Sequence, residues 1–331
     1  MDGDRGRWLA GVYHEPRSTS FMILGHRELH YHLYLPPGTR KTERLPLLLM
    51  LHGCAQTATD FAEGTRMNAV AKERRCVVLY PEQARGANLL RCWNWFDPET
   101  LAGRGEAALL ERTVRHVMGR YPIDPARVYV AGLSAGGAMT AALCATHADL
   151  FAAGAIHSGV MFGAAATPLQ AAEVMRNGAT AVAPIAQSLA SERGAGARLV
   201  PTLIIHGAAD ETVNPVNAEQ IIEQTRLLAR HCRPRSAPPT FGGQRWAESG
   251  RRYRQQDLMQ DGEIILRSIL IEGLGHAWSG GDARHPYFDP TGPSASRLII
   301  EFLLARRLPA DLLNRTRSGA TSPVTAYTSH D

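Results

Sequence analysis

The chain has 331 residues, a formal net charge of +5 and 44% hydrophobic residues. It contains no apolar run near the ~18 residues that a membrane helix needs, so no membrane partner is predicted. It also lacks a His-Glu-x-x-His or paired Cys-x-x-Cys motif and any recognised nucleic-acid motif, so we predict no cofactor, no metal and no nucleic-acid partner.

Residues 1–18 are predicted to be a flexible arm. They carry charges but no apolar stretch of the ~7–15 residues found in secretory signals, so the sequence as written predicts a cytoplasmic protein. The alternative is secretion, if the N-terminus was trimmed. Residues 21–24 and 29–35 flank Gly25 and read as an antiparallel hairpin.

The next segment is an apolar strand of buried type at residues 45–51, followed by a His-Gly-Cys loop. Gly53 allows a sharp turn there, and the backbone N–H of Cys54 is a candidate donor to an oxyanion. The alternative is an ordinary turn at the end of a strand, without a catalytic role.

The most informative motif is Gly-x-Ser-x-Gly at residues 132–136. It follows a β-branched strand and opens a helical pattern, so Ser134 is predicted to lie on a tight strand-to-helix turn. The N–H of Ala135, at the start of that helix, is the second candidate oxyanion donor. A chance occurrence of the motif in a loop rich in Gly and Ala is the alternative.

Residues 162–200 are rich in alanine and helical in pattern, and we expect them to form a small cap over the cleft. The alternative is an ordinary crossover helix with a long loop.

Two more strand ends complete a catalytic set. A buried strand at the start of the segment 201–211 precedes Asp210, and another at residues 264–271 precedes His276. The chain order Ser134, Asp210, His276 is the one expected of an α/β-hydrolase, in which the histidine activates the serine and the acid orients the histidine. Glu211 is the alternative acid.

Strands alternate with helices along the chain, which predicts an α/β fold with a mostly parallel central sheet. A single catalytic domain is expected over residues 19–313, with a loose Ser- and Thr-rich tail at residues 314–331.

Four motifs give the chain a specific resemblance. The segments at residues 52–57, 91–96, 132–139 and 275–281 resemble the polyhydroxybutyrate (PHB) depolymerase family of esterases, and residues 289–296 are similar to that family's last segment before its final helix. The family includes depolymerases of short-chain polyhydroxyalkanoates as well as feruloyl and acetylxylan esterases. The resemblance therefore implies an ester substrate.

The resemblance also concerns two of the cysteines. Five cysteines leave at least one free thiol. The family motifs that hold Cys54 and Cys92 imply a bridge between them, with two reduced thiols as the alternative. We expect Trp278 at the rim of the site, and Trp93 and Trp95 on its other side as aromatic walls for an acyl chain or ring. Core packing is the alternative for these tryptophans, with equal weight for Trp95.

The predicted activity is hydrolysis of carboxylic esters through an acyl-enzyme on Ser134. The leading substrates are 3-hydroxybutyrate oligomers or amorphous polyester, and the alternative is a feruloyl or acetylxylan-type esterase. A non-enzymatic binding protein that keeps the fold is a third possibility, and the oligomeric state is not predicted.

Overall fold

The computed structural model describes residues 6–15 and 28–317. Its strands, in chain order, are β1 (Arg7–His14), β2 (Glu28–Leu35), β3 (Leu45–Leu51), β4 (Val77–Glu82), β5 (Ile123–Leu133), β6 (Ala153–His157), β7 (Thr202–Gly207), β8 (Thr240–Phe241), β9 (Arg245–Ser249), β10 (Arg251–Gln260), β11 (Glu263–Ile271), β12 (Trp278–Ser279) and β13 (Phe288–Asp289).

The helices are α1 (Ala58–Thr65), α2 (Met67–Glu73), α3 (Pro98–Leu101), α4 (Gly105–Arg120), α5 (Ala135–Thr146), α6 (Pro168–Asn177), α7 (Val182–Arg193), α8 (Val216–Cys232), α9 (Ala295–Leu304) and α10 (Ala310–Arg317). Within the described ranges, no helix combines the length and the apolar character needed to cross a membrane.

The centre of the main sheet is parallel. Its order is β1-β2-β4-β3-β5-β6-β7-β11-β10-β8, with β9 paired to β10. All pairs from β4 to β11 along this order are parallel, whereas β1, β2, β8, β9 and β10 pair antiparallel. The predicted α/β class with a mostly parallel sheet is confirmed.

Helices cover both faces of this sheet because side chains alternate along its strands. Leu47 and Leu49 of β3 pack into the cluster that contains residues of α4 and α5. Leu48 and Met50 pack into the opposite cluster, with residues of α1, α2 and α9. Every residue of β3 is buried, as expected of a central parallel strand.

The prediction of a flexible arm is wrong for residues 7–14. These residues form β1, which pairs antiparallel with β2 from Arg7–Leu35 to His14–Glu28. Tyr13 is buried, and the ring of Trp8 stacks on His32 with centroids 4.9 Å apart. The residues predicted to pair with β2, 21–24, lie outside the described residues.

The segment from residue 162 to residue 200 contains α6 and α7. Helix α7 shares an apolar cluster with α8, through Leu189 of α7 and Ile221 of α8. Helix α6 lies beside the loop after β7, because the carbonyl of Met175 accepts the Asn214 N–H at 2.8 Å. At the C-terminus, α10 continues to Arg317, past the predicted start of the tail.

Parallel strands place their carboxyl ends at one edge of the sheet. The loops after β3, β5, β6, β7 and β11 therefore meet there, and they carry the candidate site.

Substitution of Gly11 tests whether β1 is a packed strand in solution. A Cβ at Gly11 would lie 2.4 Å from the ring of buried Tyr31. We expect Gly11→Val to lower the free energy of unfolding by ~1–3 kcal/mol, measured by urea denaturation. Ala10→Val is the matched control, since Ala10 is exposed on the same strand. Equal stability of both variants and the unsubstituted protein would contradict the packed strand.

Candidate active site

Ser134 lies on a strained turn between β5 and α5. Its backbone has φ 58° and ψ −120°, a conformation that non-glycine residues rarely adopt. The close approach of α5 to β3 at this turn requires glycine at position 136, because a Cβ there would lie 2.1 Å from the carbonyl oxygen of Leu51. The Ser134 N–H donates to the carbonyl of His157 at 2.9 Å, which ties the turn to the end of β6.

Asp210 and His276 form a hydrogen-bonded pair. The His276 Nδ1 lies 2.8 Å from Oδ2 of Asp210. The other oxygen, Oδ1, accepts the N–H groups of Thr212 at 3.0 Å and Val213 at 2.8 Å. Asp210 is buried, whereas the alternative acid, Glu211, is exposed. The geometry therefore gives Asp210 the position that orients the ring.

The charge of Asp210 is favoured by its partners. Burial raises the pKa of this carboxyl, but the hydrogen bond to His276 and the backbone N–H of Val213 outweigh burial and hold the pKa below its usual value. An ionised Asp210 accepts a hydrogen bond from the Nδ1–H of His276, so Nε2 of His276 is left free to act as a base.

His157 connects the serine turn to the histidine loop. Its carbonyl accepts the Ser134 N–H, its Nε2 accepts the Ser279 N–H at 3.3 Å, and its ring stacks on Trp278 with centroids 5.1 Å apart. Within the described residues no hydrogen bond joins the Ser134 hydroxyl to the His276 ring. Such bonds often shorten only when substrate binds.

The two candidate oxyanion donors lie on either side of Ser134. Ala135 is the first residue of α5, where N–H groups lack intrahelical acceptors and the helix dipole favours negative charge. The loop of Cys54 lies next to the serine, since a Cβ at Gly53 would be 3.6 Å from the Ser134 Cβ. In the described part of the chain, neither the Cys54 nor the Ala135 N–H has a hydrogen-bond acceptor.

A buried histidine and a disulfide hold the Cys54 loop. The Cys54–Cys92 bridge implied by the family motifs is present. The Nδ1–H of His52 donates to the Gly53 carbonyl at 2.7 Å, and its Nε2 accepts the Gln83 N–H at 3.1 Å. Burial lowers the pKa of His52 to about 4, so the ring is neutral and keeps both hydrogen bonds near pH 7.

A half-buried carboxylate fixes the segment on the other side of the bridge. Glu106 of α4 accepts the N–H of Asn94 at 2.8 Å and the side-chain amides of Asn94 and Gln83 at 2.6 Å each. Burial raises the pKa of Glu106 despite these donors. Sequence reasoning missed Glu106, because only the folded chain brings α4 to the Cys92 segment.

The three tryptophans predicted to contact substrate are buried instead. Trp93, Trp95 and Trp278 have exposed fractions of 1%, 5% and 0%. The Trp93 indole N–H donates to the His52 carbonyl at 3.1 Å, and that of Trp278 donates to the Ser296 hydroxyl at 3.2 Å. Large aromatic rings next to strand ends fill the core below the loops. They support the site from beneath, and their prediction as substrate walls is wrong.

Sequence reasoning also missed Tyr287 and Gln56. The Tyr287 ring is 48% exposed, and its centroid lies 6.2 Å from that of His276. Buried Gln56 accepts the Gly53 N–H at 2.8 Å and donates to the Pro286 carbonyl at 3.4 Å. A tyrosine 11 residues after the histidine gives no periodic signal.

No group of three or more potential metal ligands occurs among the residues that the structure describes.

The neutral buried histidines predict a stability loss in mild acid. Burial, reinforced by the nearby His206 and His276, lowers the pKa of His157 to about 3. Unfolded histidines take up protons below pH ~6.5, whereas folded His52 and His157 do so only near their lowered pKa values. Their stabilisation is therefore complete above pH ~6.5 and is lost as pH falls, with a slope of up to ~1.4 kcal/mol per pH unit for each ring.

Urea unfolding between pH 7.5 and 5 measures this slope. We expect His52→Gln to reduce the slope by about one histidine's share, ~1 kcal/mol per pH unit. The control is His30→Gln, at an exposed position on β2. An unchanged slope in His52→Gln would contradict a neutral His52.

The bridge predicts three free thiols. Cys76, Cys144 and Cys232 are free and buried, so thiol titration of the unreduced, denatured protein should give three thiols rather than five. The double substitution Cys54→Ser, Cys92→Ser should cost ~4 kcal/mol of stability by the chain-entropy relation for a separation of 38 residues. Cys232→Ser is the control; a titre of five would rule the bridge out.

Comparisons with known proteins identify the family of the chain. Residues 29–234 match the family profile Esterase PHB depolymerase. Poly(3-hydroxyalkanoate) depolymerase C of Paucimonas lemoignei is 36% identical over 241 residues, which are 70% of this chain and 54% of that protein. Feruloyl esterase B of Thermothelomyces thermophilus is 31% identical over 191 residues, which are 54% of this chain and 64% of that protein.

Among solved structures, acetyl xylan esterase from Aspergillus awamori has a TM-score of 0.59 at 20% identity, with 75% of this chain and 89% of that chain covered. This likeness concerns the fold, which is that of the α/β-hydrolases. The chain spans between half and two thirds of the length of the first relatives it matches. By its profile match and its motifs, the chain belongs to the PHB depolymerase family of esterases.

Proposed function

We propose that this protein hydrolyses carboxylic esters through an acyl-enzyme. The observation that carries the proposal is the Asp210–His276 hydrogen bond of 2.8 Å, at the sheet edge where Ser134 lies on its strained turn. A serine hydroxyl is a weak nucleophile, and a neutral imidazole oriented by a carboxylate is the group that activates it.

The proposed reaction has two steps. Ser134 Oγ attacks the ester carbonyl carbon while His276 Nε2 takes the hydroxyl proton, and the N–H groups of Ala135 and Cys54 donate to the oxyanion. The tetrahedral intermediate then releases the alcohol, which receives the proton from His276. Water, deprotonated by the same ring, attacks the acyl-enzyme and releases the acid. Each oxyanion donor typically contributes ~3–4 kcal/mol to transition-state stabilisation.

The proposed substrates are short-chain hydroxyalkanoate esters, chiefly 3-hydroxybutyrate oligomers or amorphous polyester. Membership of the family and the 36% identity to a poly(3-hydroxyalkanoate) depolymerase support this choice. The alternative is a feruloyl or acetylxylan-type ester, which the 31% identity to a feruloyl esterase supports.

The proposed cap lies beside the loop that carries Asp210. The carbonyl of Met175 in α6 accepts the backbone N–H of Asn214 at 2.8 Å and the side-chain amide of Asn217 at 3.1 Å, which supports α6 as the part of the cap next to that loop.

Of the two predicted locations, the cytoplasm and outside the cell, the Cys54–Cys92 bridge supports secretion. Disulfides persist in oxidising compartments and are rare in the cytosol. A bridge beside the oxyanion loop therefore fits a protein that works outside the cytoplasm.

Hydrolysis of a 3-hydroxybutyrate trimer, with methyl ferulate as the comparison ester, tests the activity and the substrate. We expect Ser134→Ala and His276→Ala to lower kcat by ~10⁴–10⁶-fold, since the triad acts as a unit. Asp210→Asn should lower it by ~10⁴-fold, because the wrong tautomer of His276 is favoured. Glu211→Gln is the matched control and should retain activity, because Glu211 is exposed.

The outcomes separate the proposals. Turnover of the trimer that disappears in Ser134→Ala supports the depolymerase proposal, whereas Ser134-dependent turnover of ferulate alone supports the alternative. Failure of a fluorophosphonate to label Ser134, together with no turnover of either ester, would contradict the proposal of an esterase. The remaining hypothesis would then be a binding protein with this fold.

A further inference from the structure

Among the described residues, Tyr287 is the only Phe, Tyr or Trp whose ring packs against the ring of His276. It meets the His276 ring edge to face, with an interplanar angle of 77° and centroids 6.2 Å apart. Nearly half of Tyr287 is exposed, whereas the His276 side chain is 9% exposed. Tyr287 therefore presents an aromatic surface to solvent directly beside the catalytic histidine.

The backbone of Tyr287 is strained and held in place. Its φ is 70°, in the left-handed region that Gly and Asn adopt more readily. Its carbonyl accepts the Trp278 N–H at 2.8 Å, and the preceding Pro286 carbonyl accepts the side-chain amide of Gln56. Because Gln56 also accepts the Gly53 N–H, the same side chain connects the Tyr287 loop to the oxyanion loop.

A tyrosine at this position is not explained by core packing. A half-exposed ring adds little burial, and the left-handed backbone costs free energy with any β-substituted residue. Strained residues at cleft edges are commonly functional, and the exposed ring here is directed by a loop fixed at both carbonyls.

We propose that Tyr287 is a specificity-determining residue that contacts the leaving alcohol of the ester. The inference rests on the proposed function. In that reaction, His276 gives its proton to the leaving oxygen, so the leaving group lies next to the His276 ring and within reach of Tyr287. An extended or apolar alcohol gains contact with the ring, whereas methanol is too small to do so. The substrate class is thus an ester whose leaving alcohol is a hydroxy acid or carries a ring.

Three esters with one acyl group test this role: methyl 3-hydroxybutyrate, benzyl 3-hydroxybutyrate and the linear 3-hydroxybutyrate dimer. Tyr287→Asn removes the ring and keeps a residue that tolerates positive φ. We expect kcat/KM to fall about tenfold for the benzyl ester and the dimer, and less than twofold for the methyl ester. Deacylation is common to all three, so where it limits turnover kcat should not change.

Two further variants serve as controls. Tyr287→Phe keeps the ring and should keep the preference for large leaving groups. Phe241→Ala removes an aromatic ring of similar exposure, 49%, far from the candidate site. Across the sheet, Phe241 pairs with Leu258, Leu258 with Leu266, and Leu266 with Thr202, which begins β7 at the edge opposite the site. It should leave all three kcat/KM values unchanged.

The failures are distinguishable. If the unsubstituted protein hydrolyses none of the three esters and fluorophosphonate does not label Ser134, the proposed function is wrong and the role of Tyr287 falls with it. If the protein hydrolyses them and Tyr287→Asn lowers kcat/KM equally for all three, or for none, only the leaving-group contact is overturned. Thermal unfolding of Tyr287→Asn verifies that an equal loss is not a loss of folded protein.

Discussion

The close approach of the first turn of α5 to the end of β3 is the contact on which the catalytic edge depends. A Cβ at Gly136 would lie 2.1 Å from the Leu51 carbonyl oxygen and 2.6 Å from that of His52, and backbone atoms cannot move aside as a flexible side chain can. This approach puts Ser134, at the head of the helix, against the loop of Gly53. This backbone contact therefore brings the candidate nucleophile and both candidate oxyanion donors to the same place.

Buried polar groups maintain that placement, and their protonation states are set by burial. Desolvation keeps His52 and His157 neutral, so each ring donates at Nδ1 and accepts a backbone N–H at Nε2. The half-buried carboxylate of Glu106 accepts three N–H donors from Asn94 and Gln83. Buried polar groups cost free energy unless they are hydrogen-bonded, so this arrangement fixes the loops only while every member has its partner.

The parts of the site that follow from local sequence were predictable, and the parts that depend on packing were not. Ser134, Asp210 and His276 each follow a recognisable strand, so their chain order indicates one sheet edge. The exposure of a tryptophan, by contrast, depends on contacts that local sequence does not contain: Trp278 is covered by Phe61 and His157, more than 100 residues away. The strand β1 was missed for a similar reason, since its short alternating pattern becomes apolar packing only beside β2.

Two of the non-glycine residues with positive φ, Ser134 and Tyr287, have complementary roles in the proposed reaction. In that reaction, the strained turn at Ser134 directs the attacking oxygen, and the strained turn at Tyr287 directs a ring toward the departing alcohol. Gln56 connects the loops beside these two turns. It accepts the N–H of Gly53, which lies next to Ser134, and donates to the carbonyl of Pro286, which precedes Tyr287. A displacement of the oxyanion loop would thus be transmitted to the tyrosine loop. In the proposed mechanism, oxyanion stabilisation and leaving-group recognition then both depend on the buried side chain of Gln56, although this residue takes no direct part in the reaction.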